Sequence, residues 1–195
     1  MTHTVRTLAL LTLALALPTL AANSASAASY AIDNVHTSVL FKVSHFGIAP
    51  FYGRFNSVAG TFEFDAAAAD RSKLSLQIDV ASIFTADRKR DDHLKSPDFF
   101  NAKQFPTITL ESARVKAGTA RDTYVVEANL TVRGVTKAIT FTMTKTGEGS
   151  DPMGNARIGF EGSFTINRLD YGVSYAPEGL GKDVTIIFAV EGIKG

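Results

Sequence analysis

Between Arg90 and Phe100 the chain sets three acids (Asp91, Asp92, Asp98), one histidine (His93) and the cations Arg90 and Lys95 ahead of two phenylalanines. Residues of these types could serve acid–base, metal or anion-binding chemistry. Asp91 and Asp92 are adjacent, so in an extended chain they point apart and do not form the facing carboxylate pair of a glycosidase. His93 beside Asp92, or His45 further up the chain, could act as a base on a bound substrate, yet no nucleophile is evident near either. The histidines beyond residue 28 are His36, His45 and His93, with no H-x-H or H-x-x-x-H pair, and the chain has no cysteine. A metal site would therefore have to be assembled from distant segments, and neither a metal nor a cofactor is expected. No G-x-S-x-G, H-E-x-x-H, P-loop or dinucleotide fingerprint occurs. The cations are a better lead. Arg88, Lys89, Arg90 and Lys95 cluster here, and Arg54 lies in a second stretch read as irregular, His45–Phe55. Convergent arginine forks at the rim of an apolar hole would suit the polar end of an amphiphile, phosphate in particular. The alternative is a solvated loop neutralised by Asp87, Asp91 and Asp92.

Strands must position these residues, because period-two alternation runs through most of the chain. Val39, Phe41 and Val43 share one face. The same holds for Val58, Gly60, Phe62 and Phe64, for Leu74, Leu76, Ile78 and Val80, and for Ile108 and Leu110. Further on come Tyr124 to Val132, then Ile139, Phe141 and Met143, then Ile158, Phe160, Gly162, Phe164 and Ile166, and last Val184, Ile186, Phe188 and Val190. Such runs, bounded by Gly, Asp, Asn and Pro, predict about eight half-buried antiparallel strands. Turns are expected at Ala66–Ala69, Arg133-Gly134 and Gly147–Asn155. Only Phe84 to Pro106 interrupts the rhythm for long. There Ser96-Pro97-Asp98 has the look of a helix start, and one or two short helices are expected. Eight strands with almost no helix to cover them close on themselves or form a sandwich. Closure is expected, an eight-stranded antiparallel barrel whose interior is wide enough for packed side chains or one ligand.

The inner face is rich in phenylalanine, of which the chain has 14 against no tryptophan. Phenylalanine adds apolar area with no polar handle to satisfy, and alternation does not distinguish a filled core from a ligand tunnel. An outer-membrane barrel would turn the same faces toward lipid. The aromatics lie within strands, however, not in girdles at their ends, and Trp is missing. At the N-terminus, Arg6, the apolar run Leu8–Leu20 and Ala25-Ser26-Ala27 read as a secretory signal peptide, residues 1–28, cut near Ala27 or Ala28. Export to the periplasm of a Gram-negative bacterium is the expectation. Residues 29–195 then form one domain. The whole chain has 20 Lys+Arg against 19 Asp+Glu; without Arg6 it is balanced, which gives no support for nucleic-acid binding. No later run is apolar enough for an integral membrane span.

Several separated motifs give these features a family likeness: Asp33-x-x-His36, Phe41-Lys-Val-Ser-His45-Phe-Gly47, Gly53-Arg-Phe55, Gly60-Thr-Phe-Glu-Phe-Asp65, the Arg90–Phe100 stretch continuing to Phe105-Pro106, Leu130–Lys137, Arg168-Leu-Asp-Tyr-Gly172 and Gly181-Lys-Asp-Val184. In order and spacing, from about Tyr30 to Lys194, the chain resembles the YceI-like family of polyisoprenoid-binding, lipocalin-like periplasmic proteins. Tyr171 and Phe105 stand where that family often has Phe and Tyr. The resemblance implies an extended eight-stranded antiparallel barrel with a long apolar tunnel that holds an isoprenoid or other fatty-chain amphiphile, and no established catalytic residues. The wall would then be Phe41, Val43, Phe62, Phe64, Leu76, Ile78, Ile108, Leu110, Phe141, Met143, Phe160, Phe164 and Phe188. The rim and lid would be His45, Arg54, Arg90, His93, Leu94, Phe99 and Phe100, with Leu94, Phe99 and Phe100 anchoring the charged stretch. The leading functional reading is a non-enzymatic carrier or sequestering protein for a polyisoprenoid, isoprenoid quinone or fatty-chain lipid. Two others stand beside it: an enzyme acting on such a lipid through His93 or His45, and a structural protein with a filled core. A homodimer through strand edges or the lid is compatible with all three.

Overall fold

The computed structural model describes residues 26–195, so the expected signal peptide lies, up to residue 25, outside the described residues. Eleven strand segments and one α-helix follow in order: β1 (Ala28–Ile32), β2 (Ser38–His45), β3 (Ala49–Phe55), β4 (Val58–Phe64), β5 (Lys73–Asp79), β6 (Ile83–Phe84), α1 (Arg88–Lys95), β7 (Thr107–Ala117), β8 (Thr123–Val132), β9 (Val135–Ser150), β10 (Ala156–Asn167) and β11 (Leu180–Lys194).

These eleven segments make eight staves. β1 and β2 both run antiparallel to β11, with Tyr30 opposite Lys194 and Ser38 opposite Ala189. On their other side β1 meets β4 and β2 meets β3. So β1–β2 is one long strand bent at residues 33–37, and β3–β4 is a second, bent at Asn56-Ser57. β5–β6 is a third, broken by a 3₁₀ turn over Val80–Ser82; β5 meets β4 and β6 meets β3. With β7 to β11 continuous, the eight form an up-and-down antiparallel barrel, and the β1/β2–β11 pairing closes it.

The three bends lie side by side and satisfy one another's freed backbone groups, as buried polar groups require. Asn34 Oδ1 accepts from Val58 N at 2.6 Å, and Ser82 Oγ accepts from Asn56 N and Ser57 N, both at 3.1 Å. The apolar faces point inward: Phe62, Val126, Phe141 and Ile158 are all at most 6% exposed. This orientation is opposite to that of a lipid-facing barrel.

Local expectations needed correction in four places. The helix does not start at Ser96; it runs Arg88–Lys95 with Asp87 as its N-cap, accepting from Arg90 N, and Ser96 ends it. A residue before proline is pushed out of the helical region, and Ser96 precedes Pro97. Asp91 and Asp92 are therefore helical, Asp91 buried and Asp92 exposed. His45–Phe55 is not irregular: beyond its turn it is β3, whose alternation Pro50 and Gly53 obscured. Arg54 consequently stands on the outer face of a strand, away from any rim. Finally, the Gly147–Asn155 turn is shorter than expected, because β9 continues to Ser150.

Near the bends, Arg157 ties three staves together. Its Nη1 donates to Asp33 Oδ2 (2.6 Å) and Glu191 Oε1 (2.7 Å), and its Nε to Asp151 Oδ2 (2.8 Å). His36 and Arg157 hold the Asp33 carboxyl well below the usual carboxylate range, and Asn155 and Arg157 do the same for Asp151. Groups depressed in this way add stability that is complete above the ordinary carboxylate pKa of about 4 and is lost as pH falls below it. Arg157→Gln is thus expected to lower the melting temperature at neutral pH and to flatten the acid limb below pH ~4. Thermal melts across pH 2–7 check this; an unchanged acid limb would assign it to other carboxylates.

Candidate functional site

The core is in two parts. Phe64, Val115, Tyr124, Val126 and Phe160 pack one end of the barrel, and Val39, Phe55, Val80, Ile83, Leu130 and Tyr171 pack the other. Between them the inward-facing side chains of the middle rows (Phe41, Ile78, Leu110, Phe164, Ile186 and Phe188) are only half-buried. They face free space. A cavity of about 190 Å³ runs there, larger than the ~150 Å³ apolar cavities that stay dry and accept benzene. All thirteen residues expected on a wall line it: Phe41 and Val43 from β2, Phe62 and Phe64 from β4, Leu76 and Ile78 from β5, Ile108 and Leu110 from β7, Phe141 and Met143 from β9, Phe160 and Phe164 from β10, and Phe188 from β11. Glu63, Ser72, Lys73, Arg168 and Tyr171 are the polar residues on the lining.

One end of the barrel carries the Phe46-Gly47 turn, the 85–106 segment, the Arg133-Gly134 turn and the 168–180 loop. The 85–106 segment reaches the cavity through Leu94, Phe99 and Phe100. Its charged residues face elsewhere. Arg90 donates from Nε to Thr85 Oγ1 (2.8 Å) and from Nη2 to the Thr85 carbonyl (2.6 Å), with its guanidinium carbon 4.3 Å from the centre of the Phe51 ring. Asp91 accepts from Thr85 N and Oγ1. His93 pairs with Asp98 at 2.9 Å and sits edge-on to Phe99 and Tyr175. His45 is an exposed strand end against Phe46. So Arg90, Asp91 and His93 fasten the lid, while His45 and Arg54 lie off the cavity lining. Arg133, in the two-residue turn between β8 and β9, joins lid to loop by donating to the Phe99 and Gly172 carbonyls, both at 2.7 Å.

A family model of the YceI-like domain matches residues 30–192. The chain belongs to the YceI-like family. A UPF0312 protein of Azotobacter vinelandii is 40% identical over 191 residues, covering 97% of this chain and 98% of that one. Among solved structures, BcnA of Burkholderia cenocepacia shares the fold at TM-score 0.75 and 24% identity, over 82% of this chain and 98% of that one. A polyisoprenoid binding domain from Saccharophagus degradans does so at TM-score 0.67 and 18% identity, over 86% and 99%.

Two features of this YceI-like barrel escaped sequence reasoning. The first is the buried cation Arg168, 6% exposed on the cavity lining. Its five N–H groups donate to the carbonyls of Val173, Tyr175, Ala176, Leu180 and Gly181, at 2.6 to 3.4 Å. No carboxylate faces it among the described residues, and burial pushes the guanidinium's pKa down. The arginine of the Arg168–Gly172 motif is the hub that shapes the whole 168–181 loop. The second is glycine placement. A Cβ on Gly53 would lie 2.2 Å from the Phe41 ring, and one on Gly162 would lie 2.6 Å from the Phe188 ring. Each glycine is the cross-strand partner of that phenylalanine. The rings therefore lie flat along the wall, over bare backbone, and the axis of the barrel stays open.

A cluster with metal-ligand geometry also occurs, Asp33, His36 and Glu191. The Arg157 guanidinium already bonds both carboxylates, so their charge is answered without an ion.

Proposed function

We propose that this YceI-like protein is a non-enzymatic carrier or sequestering protein that holds the chain of a long amphiphile, a polyisoprenoid, isoprenoid quinone or fatty-chain lipid, in its barrel cavity. The observation that carries this reading is the row of inward phenylalanines, leucines and isoleucines left half-buried around free space. A filled core would bury them. The Saccharophagus degradans protein of the same fold is described as a polyisoprenoid binding domain, which supports the same ligand class. A binding role is also favoured over catalysis. No histidine or aspartate lines the cavity among the described residues, the one lining carboxylate among them, Glu63, is exposed and pairs with Lys73 at 3.7 Å, and the lining Ser72 Oγ accepts from Asp65 N. Export to the periplasm by an N-terminal signal peptide cut after Ala27, which leaves Ala28 as the first residue of β1, completes the proposal.

Hydrophobic transfer favours neither the cavity nor a bilayer, since both hide the tail at about 0.8 kcal/mol per CH₂ relative to water. Cavity length and shape must supply the selectivity. The test is native mass spectrometry of protein purified from the cell envelope, followed by solvent extraction. A single stoichiometric long-chain amphiphile, recovered unchanged, is the expected result. A clean apo mass with no uptake of added polyprenol or quinone would sink the proposal, and a chemically altered lipid would favour an enzyme.

A further inference from the structure

The exposed large apolar side chains are unevenly placed. Val35, Met153 and Ile187 are exposed singly elsewhere, whereas Phe46, Ile48, Tyr52, Phe84 and Tyr175, 64%, 85%, 51%, 48% and 45% exposed, all belong to the lid half of the barrel. They are also neighbours. Phe46 and Ile48 form the tip between β2 and β3, Tyr52 and Arg54 share the outer face of β3, and Arg54 pairs with Phe84. On the other side, Phe46 N donates to the Gly179 carbonyl at 2.7 Å, joining the tip to the loop that carries Tyr175.

The tip is also strained. Phe46 and Gly47 are the two central residues of a tight hairpin turn, with φ of +50° and +68°. Such a turn favours Asn or Asp followed by Gly, and a bulky residue at positive φ is an outlier. A phenylalanine held there with its ring in solvent is poor chemistry for the turn. Backbone strain of this kind clusters at functional sites, and Phe46 is the one aromatic of the six non-glycine residues at positive φ among the described residues.

Cations surround the patch. Lys42 is the register partner of Tyr52, Lys182 follows Gly181 beside Ser44, Lys89 is on α1, and Arg54 stands between Tyr52 and Phe84. None of the four is in an ion pair among the described residues. With the rest of the 87–98 segment counted (Arg88, Arg90 and Lys95 against Asp87, Asp91, Asp92 and Asp98) and Glu178 and Asp183 of the adjoining loop and strand start, the balance is seven cations to six acids, and the four unpaired cations are the ones free to meet anions.

We infer that this face is a membrane-docking surface: Phe46 and Ile48 insert among the acyl chains of a bilayer with anionic headgroups, while Lys42, Arg54, Lys89 and Lys182 meet the headgroups. Apolar anchors combined with a basic surround are what reversible attachment to anionic lipid needs. Docking here would set the lid, Leu94, Phe99 and Phe100 included, against the membrane, where a lipid tail passes between bilayer and cavity without crossing water. The inference rests on the proposed carrier function for its purpose.

Because the chain has no tryptophan, Ile48→Trp is a built-in reporter, and Met153→Trp at the opposite end, a site 78% exposed, is its control. Vesicles of equal phosphatidylglycerol and phosphatidylcholine should blue-shift the emission of Ile48→Trp, less so at high salt, and leave Met153→Trp unchanged. Phe46→Ser/Ile48→Ser should lose at least roughly tenfold in vesicle-bound fraction while still taking up farnesol added from solution. Silent reporters with normal farnesol uptake would overturn docking and leave the carrier function standing. Vesicle binding without farnesol uptake would uphold docking and count against the carrier. Self-association that Ile48→Ser abolishes, with no vesicle binding, would assign the tip to a second copy and overturn the inference.

Discussion

Arg168→Ala is expected to lower stability by about 3–5 kcal/mol, a fall of roughly 10 °C in melting temperature for a domain of this size. Truncation deletes five N–H groups at once and leaves the carbonyls of Val173, Tyr175, Ala176, Leu180 and Gly181 to find other donors. Some will reach water as the 168–181 loop opens. The barrel walls do not depend on that loop, so the loss should be uneven. Amide exchange should accelerate most across residues 168–181 and at Phe99, which shares Arg133 with Gly172. Arg168→Lys keeps the charge but offers three donors from one nitrogen, so it should fall between the two. An unchanged melting temperature in Arg168→Ala would mean that the loop carbonyls are satisfied without the guanidinium.

Leu110→Trp is the second large effect, this time on binding. Leu110 packs against both core clusters yet remains half-buried, because one side of it faces the cavity. An indole there occupies free space without displacing a neighbour. If it excludes two or three methylene-sized groups of a bound chain, affinity falls by roughly 2 kcal/mol, about 30-fold, with stability near wild type. Phe141→Trp differs in kind. Phe141 is 5% exposed, stacked 5.1 Å from Phe164 and edge-on to Phe188 at 5.6 Å, so the larger ring overpacks and should cost ~1–3 kcal/mol of stability. Titration with a fluorescent polyprenyl or fatty-acid probe beside thermal melts separates the two. Equal binding by Leu110→Trp and wild type would place the ligand elsewhere.

The all-β class, eight staves and the inward faces were legible in the chain itself. Period two is a local property: whichever strands pair, Phe62 and Phe64 stay on one face and Glu63 on the other, and burial decides which face turns in. Arg133-Gly134 marks its turn by its own backbone preference, whereas the bends at Asp33-Asn34 and Asn56-Ser57 emerged only from the pairing of the strands. What stayed hidden depends on residues far apart in sequence. Arg54 reads as a rim cation until the β2–β3 pairing turns it outward. Arg90 and His93 read as site residues until Thr85, Phe51 and Asp98 bind them in place. Arg168 shows nothing unusual until a loop of carbonyls closes around it. The open axis is the clearest case, since Phe41 and Phe188 leave it clear only because the facing strand presents Gly53 and Gly162. Alternation names the residues of the wall; only cross-strand register decides whether their rings fill the barrel or lie along it.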